Sequence, residues 1–216
     1  MKRVKTVVAA LCTLALTACG GMDTATRLGA SNSDTFAVQG MAAPSVKIVS
    51  YDVKVPSTLK ISEANSYYPA GDIVWREDPY GDRAAQISAI FNDSLGRVAS
   101  TTNGALPAKV EIELVRFHAL TEKTRLSIGG VHNMRFFMTV RDQNTGAVLI
   151  PRHFVEANLK AYGGDRAFEA VRKGLTQKVR ITQHLANVIA TELSAPGSTD
   201  KRLVDLVAGL ESSAKL

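Results

Sequence analysis

The histidine, serine and acidic residues of this chain form few of the spacings that catalysis or metal binding requires. Histidines stand at positions 118, 132, 153 and 184, and no two are three or four residues apart, as in a helical metal site. Ser57 and Lys60 have Ser-x-x-Lys spacing but lack the Ser-Asp-Asn and Lys-Thr-Gly partners of a catalytic motif. Glycine-rich phosphate and dinucleotide loops are missing too. We therefore predict a protein that is not an enzyme, with no catalytic residue, metal or cofactor.

Cys19 has the clearest chemistry in the sequence. Residues 1–18 combine a basic start, an apolar run of about ten residues and a small-residue end, which is typical of a signal peptide. That run is too short for a membrane-spanning helix. The segment Leu16-Thr17-Ala18-Cys19 resembles a bacterial lipobox. The resemblance implies diacylglyceryl transfer to the Cys19 thiol, cleavage before it and acylation of the new amino terminus. A secreted protein with an incidental cysteine is the alternative.

The predicted cleavage changes the composition of the chain. It removes Cys12 and three of the 26 basic residues, leaving 23 basic and 20 acidic side chains and no cysteine for a disulfide. A net charge of +3 and an aromatic content of 6% argue against a nucleic-acid partner. Gly20 stands where inner-membrane retention signals use Asp. By analogy with those signals, we predict an outer-membrane anchor that faces the periplasm.

Four regions follow from the composition along the chain. Residues 1–18 are the predicted lipoprotein signal peptide, and residues 19–44 are rich in small and polar residues, as in a flexible tether. Residues 45–196 form the predicted folded domain. Residues 197–216 form a predicted amphipathic tail, in which Leu203, Leu206, Val207 and Leu210 have helical spacing. This tail either packs on the domain as a short helix or remains loose.

Within the domain, apolar alternation predicts five strands, at 45–55, 72–76, 110–117, 134–140 and 147–162. Residues 126–128 are a candidate short edge strand. Val115 and Phe117 break the alternation, which predicts a bulge or a change of environment. Residues 142–146 predict a hairpin turn. Pro151 predicts an edge position or a bulge in the last strand.

Two amphipathic helices complete the domain. Asp82 is the predicted cap of a helix that runs to about Ser100, with Arg83 on its polar side. Asp165 is the predicted cap of a second helical region that ends at Ala195, is divided at Gly174, and has Phe168 and Val171 on its apolar stripe. We predict an α+β fold of order β-β-α-β-β-β-α: an antiparallel sheet of about five strands with two main helices on one face, plus a short C-terminal helix.

Three aromatic residues are candidates for contact with a partner. Tyr67 and Tyr68 fall in the long connection between the first two strands, where they either contact a partner or hold the loop down. Trp75 lies beside Glu77 and Asp78, and its type favours a core position over a binding one. The sequence Tyr80–Ala84 recurs in part at Tyr162–Ala167, each time before a helix. Similar capping explains this better than a repeated ligand-binding turn does.

Residues 46–195 resemble the small periplasmic lipoproteins that accompany ABC-type and MCE-type lipid transporters, the PqiC-like group. The resemblance rests on Val53-Lys54-Val55-Pro56, on Asp72–Arg76, on the helix through Ile87 and Leu95, and on His184–Ala190. The residues between Trp75 and Arg83 and the longer tyrosine loop depart from that group. The chain looks closer still to an uncharacterised family of bacterial envelope lipoproteins. These resemblances imply a partner-binding role and supply no catalytic residues.

Three hypotheses of function follow. The first is a non-enzymatic accessory lipoprotein, anchored to the membrane through acylated Cys19, which binds an envelope protein of a transport or assembly system. The second is a lipoprotein that binds lipid or glycan in a groove between sheet and helices. The third and least favoured is a hydrolase that uses Glu77, Asp78 and His118.

Overall fold

The computed structural model describes residues 45–200. The predicted signal peptide with Cys19, the predicted tether up to residue 44, and residues 201–216 of the predicted tail lie outside the described residues. None of the described helices is long and apolar enough to span a bilayer.

The described chain forms an α+β fold of six strands and four helices. Their order is β1 (Val46–Lys54), β2 (Ile73–Val74), α1 (Arg83–Ala99), β3 (Leu106–His118), α2 (Glu122–Arg125), β4 (Gly130–Asp142), β5 (Val148–Glu156), β6 (Leu159–Ala161), α3 (Asp165–Arg172) and α4 (Gln177–Ser194). The predicted order β-β-α-β-β-β-α is matched only in part. The structure adds α2 between β3 and β4, divides the predicted last strand into β5 and β6, and divides the second helical region into α3 and α4.

The sheet is mixed, so the prediction of an all-antiparallel sheet is wrong. Its strand order is β1-β3-β4-β5, with β2 pairing β3 beyond β1 and β6 pairing β4 beyond β5. β1 and β2 run parallel to β3, whereas β3, β4, β5 and β6 pair antiparallel. The reason is that α1 is a crossover connection, which returns the chain to the start of the sheet before β3 begins.

One face of the sheet forms the core with α1 and α4. The largest fully buried side chains come from β2, the residue after β2, α1, β3 and β4: Ile73, Trp75, Ile87, Ile90, Phe91, Leu95, Ile112, Leu114, Phe117, Met134, Phe136 and Met138. Phe91 meets Phe136 edge to face, with ring centroids 5.3 Å apart. The two helices also contact each other, since the Ser94 hydroxyl donates to the Thr182 carbonyl at 3.1 Å.

Several local predictions are confirmed. The Asp82 carboxylate caps α1 by accepting the Ala85 N–H at 3.0 Å. The register of β3 against β4 shifts between Leu114 and Arg116, where the bulge was expected. Gly146, with φ +73°, closes the 142–146 hairpin, and β5, which carries Pro151, is an edge strand.

Other local predictions are wrong. Leu126 ends α2, and residues 127 and 128 continue as a turn instead of an edge strand. Gly164 precedes α3 without any side-chain cap, so Asp165 is simply the first helical residue.

Gly174 (φ +74°) does divide the second helical region, as expected. Because of this division, the predicted apolar stripe does not continue in register from α3 into α4. Phe168 and Val171 face outward instead of toward the core.

The domain has two ends, defined by β3. Its first residues pair with the start of β1, near Ser45 and the last turn of α1; we call this the proximal end. Its last residues pair with β2 and lie near α2, the start of β4 and β6; we call this the distal end. Thirteen residues of strand separate the two ends, which is about 40 Å.

Candidate partner-binding surface at the distal end

Exposed apolar and aromatic side chains concentrate at the distal end. Of the 15 large hydrophobic residues that are exposed in the described chain, 11 lie there: Ile61, Tyr67, Tyr68, Tyr80, Leu126, Ile128, Val131, Tyr162, Phe168, Val171 and Leu175. Single exposed apolar residues are ordinary, but their collection on one end marks a candidate interaction surface.

Residues 57–72, which we call the tyrosine loop, are fixed to the distal end by backbone and side-chain hydrogen bonds. At its base, the Asp72 and Ile73 N–H groups donate to the Lys60 carbonyl at 2.8 and 3.0 Å. At its tip, the Thr121 hydroxyl donates to the Ser66 carbonyl at 2.8 Å. The His118 Nε2 lies 3.0 Å from the Pro69 carbonyl oxygen. The loop is therefore held in one conformation by β3 and α2.

The three aromatic candidates lie in different environments. Tyr68 is 88% exposed and Tyr67 is 41% exposed, with the Lys123 ammonium 4.7 Å from its ring centroid. Trp75 is 0% exposed, so the core position that its type favoured is confirmed, and it offers no surface to a partner. Tyr68 therefore remains as the most exposed candidate, and its contact with a partner stays a prediction.

Beneath the loop, Arg83 forms a buried ion pair. Its Nε and Nη2 lie 2.7 and 2.9 Å from the two carboxylate oxygens of Glu63, and its Nη1 donates to the Asp78 and Pro79 carbonyls. The Arg83 side chain is only 4% exposed, so its predicted place on the polar side of α1 is wrong. The hydrogen bonds from Arg83 hold the pKa of Glu63 below its usual range.

A second pair continues this network toward α2. The Arg76 Nε lies 2.6 Å from a Glu122 carboxylate oxygen, and its guanidinium also donates to the Glu63 carbonyl. Glu63, in the tyrosine loop, is thus connected to Arg76, just after β2, and to Arg83 in α1. The sequence did not indicate that these charged side chains would form ion pairs, because Arg76 and Glu122 are 46 residues apart in the chain.

Glu77 and Asp78 connect the same region to α4. The Glu77 carboxylate accepts the N–H groups of Gln177 and Lys178 at 3.2 and 2.6 Å, at the positive end of the helix dipole. Asp78 accepts the Trp75 indole N–H at 2.8 Å and lies 2.9 Å from the Lys178 ammonium. Burial raises the pKa of Asp78, but these partners outweigh it and the pKa lies below its ordinary value. Both acids therefore have structural partners.

The partial repeat at residues 80–84 and 162–167 differs in structure. Asp82 caps α1, but the corresponding position before α3 is Gly164 at φ +54°, and no side chain caps that helix. What the two segments share is an exposed tyrosine under an arginine, with centroid distances of 5.8 and 3.7 Å. The shared feature is thus a cation–π contact at the distal surface.

The histidines do not assemble into a metal site within residues 45–200, where no three His, Cys, Asp or Glu side chains come close enough to hold an ion. His132 is 0% exposed, and burial lowers its pKa to about 3. His184 is half-buried on α4, and burial lowers its pKa as well. Both imidazoles are therefore neutral at physiological pH.

His153 and Glu192 form a buried pair at the proximal end that the sequence did not indicate. The His153 Nε2 lies 3.0 Å from a carboxylate oxygen of Glu192, which is 0% exposed, and its Nδ1 lies 2.8 Å from the Pro151 carbonyl. Glu192 also accepts the N–H groups of Gly197 and Thr199 at 2.6 and 2.9 Å. The pair thus fixes the residues after α4 to the edge strand β5.

This pair predicts a pH dependence of stability. Burial lowers the pKa of His153, but Glu192 and the Pro151 carbonyl outweigh it and the pKa is raised, whereas hydrogen bonds lower the pKa of Glu192 against burial. The stabilisation is therefore fully present between the unfolded-state pKa values, near 4.5 and 6.5. It is lost above the raised pKa of His153 and below the lowered pKa of Glu192.

Urea unfolding between pH 6 and 9 tests this expectation. The unchanged chain should lose more free energy of unfolding across that range than His153→Gln does, because only the unchanged chain loses the His153–Glu192 pairing. Parallel curves for the unchanged chain and His153→Gln would contradict the pairing.

Solved structures that resemble the chain share little sequence with it. A Caulobacter crescentus CB15 chain described as a "putative lipoprotein" is 14% identical, with a TM-score of 0.30, covering 54% of this chain and 83% of its own. A Xanthomonas campestris protein of the DUF330 family is 12% identical, with a TM-score of 0.39, covering 76% and 93%. An uncharacterised protein is 18% identical, with a TM-score of 0.37, covering 71% and 97%. No likeness at this level assigns a function.

No curated protein matches the sequence significantly. A family model described as a family of unknown function, DUF6778, matches residues 46–208. The match spans β1 to α4, including the tyrosine loop and its buried charges, and covers well over half of the chain. The chain therefore belongs to the DUF6778 family.

Proposed function

We propose that the chain is a non-enzymatic accessory lipoprotein of the bacterial cell envelope, whose distal end binds a partner protein. Acyl chains on Cys19 hold it to the periplasmic face of the outer membrane in this proposal. The signal-peptide pattern of residues 1–18 and the lipobox-like segment before Cys19 support the anchor. Two or more acyl chains give stable attachment, because each buried CH₂ contributes about 0.8 kcal/mol.

The observation that carries the partner-binding role is the presentation of Tyr68. An aromatic ring that is 88% exposed contributes little to the stability of the fold. If the loop were mobile, it could turn this ring toward the domain and bury it. The tyrosine loop is instead fixed by β3, α2 and the Glu63–Arg83 pair. A fixed aromatic residue loses little conformational entropy on binding, which favours its use as an interface hot spot.

The direction of the loop fits this role. The chain enters the described domain at Ser45, at the proximal end, whereas Tyr68 lies at the distal end, about 40 Å away along β3. Because the chain enters at the end opposite to Tyr68, attachment through residues before Ser45 leaves Tyr68 free to meet a partner. From the resemblance to PqiC-like proteins, we propose a subunit of an envelope transport or assembly machine as that partner.

The two other hypotheses have less support. Lipid or glycan binding would need a groove between sheet and helices, but the described α1 and α4 pack directly on the sheet through fully buried side chains. A hydrolase would need Glu77, Asp78 and His118 to be available for substrate. In the described chain these groups cap α4, bind Trp75 and Lys178, and contact Pro69.

Site-specific photocrosslinking in intact cells tests the proposal. A photoreactive amino acid at position 68 should give one discrete protein adduct, because this ring is the expected point of contact. Position 49 is the matched control, since Val49 is 49% exposed but lies toward the proximal end. Failure to obtain an adduct from position 68, or the same adducts from both positions, would refute partner binding through this loop.

A further inference from the structure

The large apolar side chains of α3 face solvent, and only small side chains face the core. Ala167 and Ala170 are its buried residues, so it packs on the domain through two small side chains. Phe168 and Val171, one helical turn apart, are 51% and 43% exposed. A helix that serves only to cover a core turns its large apolar residues inward. The outward pair therefore needs another explanation.

The apolar surface extends beyond the helix. Leu175, which follows α3, is 38% exposed, and Ile128 in the turn before β4 is 68% exposed. The end of α2, just before that turn, contacts the residue that precedes α3, since the Gly164 N–H donates to the Arg125 carbonyl at 3.0 Å. A side chain at Gly163 would collide with the backbone of Gly129. The turn and the start of α3 are therefore neighbours, and we call the outward side chains of α3 together with Leu175 and Ile128 the α3 face.

The segment that contains most of the α3 face is rich in basic residues. Residues 159–180 carry six basic side chains and two acidic ones, whereas the other described residues carry 13 basic and 14 acidic side chains. The surplus positive charge of the described domain therefore lies in this segment. Of its basic residues, Lys160, Arg166 and Arg172 form no ion pair with any described residue, whereas Lys173 and Lys178 pair with Glu169 and Asp78.

We propose that the α3 face binds the surface of an anionic phospholipid bilayer. Outward phenylalanine, valine and leucine side chains with unpaired lysine and arginine around them are the composition of an interfacial amphipathic helix. The apolar side chains enter the boundary between headgroups and acyl chains, and the basic side chains meet lipid phosphates. The α3 face shares the distal end with Tyr68 but uses different residues. It requires neither acylation of Cys19 nor the tyrosine loop, so its test is separate from that of the proposed function.

Vesicle sedimentation tests this site without the anchor. The chain from residue 19 onward, with Cys19→Ser, is mixed with vesicles of phosphatidylethanolamine and phosphatidylglycerol at 7:3, or of phosphatidylcholine alone. We expect binding to the anionic vesicles that weakens with salt. Arg166→Gln with Arg172→Gln should reduce the partition coefficient by about fivefold per charge, and Phe168→Ser with Val171→Ser by about tenfold or more.

A matched variant and a second readout separate binding from folding. Val148→Ser changes a 50% exposed residue outside the α3 face and should leave vesicle binding unchanged. Phe168→Trp places an indole on the face, and its emission should shift to shorter wavelength only with anionic vesicles, since Trp75 is buried.

Three outcomes would overturn the proposal. One is equal binding to both vesicle types, and another is equal loss of binding in the Val148 and Phe168/Val171 variants. The third is a dimer, seen by sedimentation velocity, that the Phe168/Val171 variant dissociates, because the face would then belong to a second copy of the chain.

Discussion

Replacement of Arg83 by alanine is expected to lower the free energy of unfolding by about 3 kcal/mol. Removal of one partner from a buried ion pair costs about 3–5 kcal/mol, because the other charge is left uncompensated. The lower end applies here because Glu63 is 33% exposed and can recover some hydration. The loss also leaves the Asp78 carbonyl without its side-chain donor, whereas the Pro79 carbonyl keeps the Gln86 side-chain amide.

Urea unfolding of three variants would measure this effect. Arg83→Lys keeps the charge but cannot reproduce the two-pronged contact with Glu63, so its loss should be intermediate. Arg97→Ala removes an exposed arginine from the last turn of the same helix and should cost less than about 1 kcal/mol. If Arg83→Ala were no more destabilised than Arg97→Ala, the ion pair would not hold the tyrosine loop to α1.

The local elements of the fold follow from short-range patterns. The Asp82 cap, the 142–146 hairpin, the edge position of β5 and the break at Gly174 each depend on a few neighbouring residues. These features restrict backbone angles or hydrogen bonding locally, so sequence spacing alone predicts them.

Strand direction and burial of charge could not be predicted in this way. Apolar alternation is the same in parallel and antiparallel strands, so it did not show that β1 runs parallel to β3. Arg83 occupies a core-facing position because Glu63, 20 residues earlier, neutralises it there. Phe168 was placed on an apolar stripe that continues into α4, but the Gly174 turn rotates α3 relative to α4.

The candidate surface was predicted only in part. Tyr67 and Tyr68 could be found as aromatic residues in a long polar connection, and both are exposed. Their fixed presentation depends on hydrogen bonds from Thr121 and His118, about 50 residues away. The sequence therefore identified the tyrosine residues but not the scaffold that holds them.

Incorporation of labelled palmitate in cells tests the central claim, a lipid-anchored envelope protein, most directly. The unchanged chain should take up label and fractionate with the outer membrane, and Cys19→Ser should lose the label completely. Cys12→Ser is the matched control and should keep it, because Cys12 lies within the predicted signal peptide. Label that persists in Cys19→Ser, or that never enters the unchanged chain, would contradict the proposed anchor.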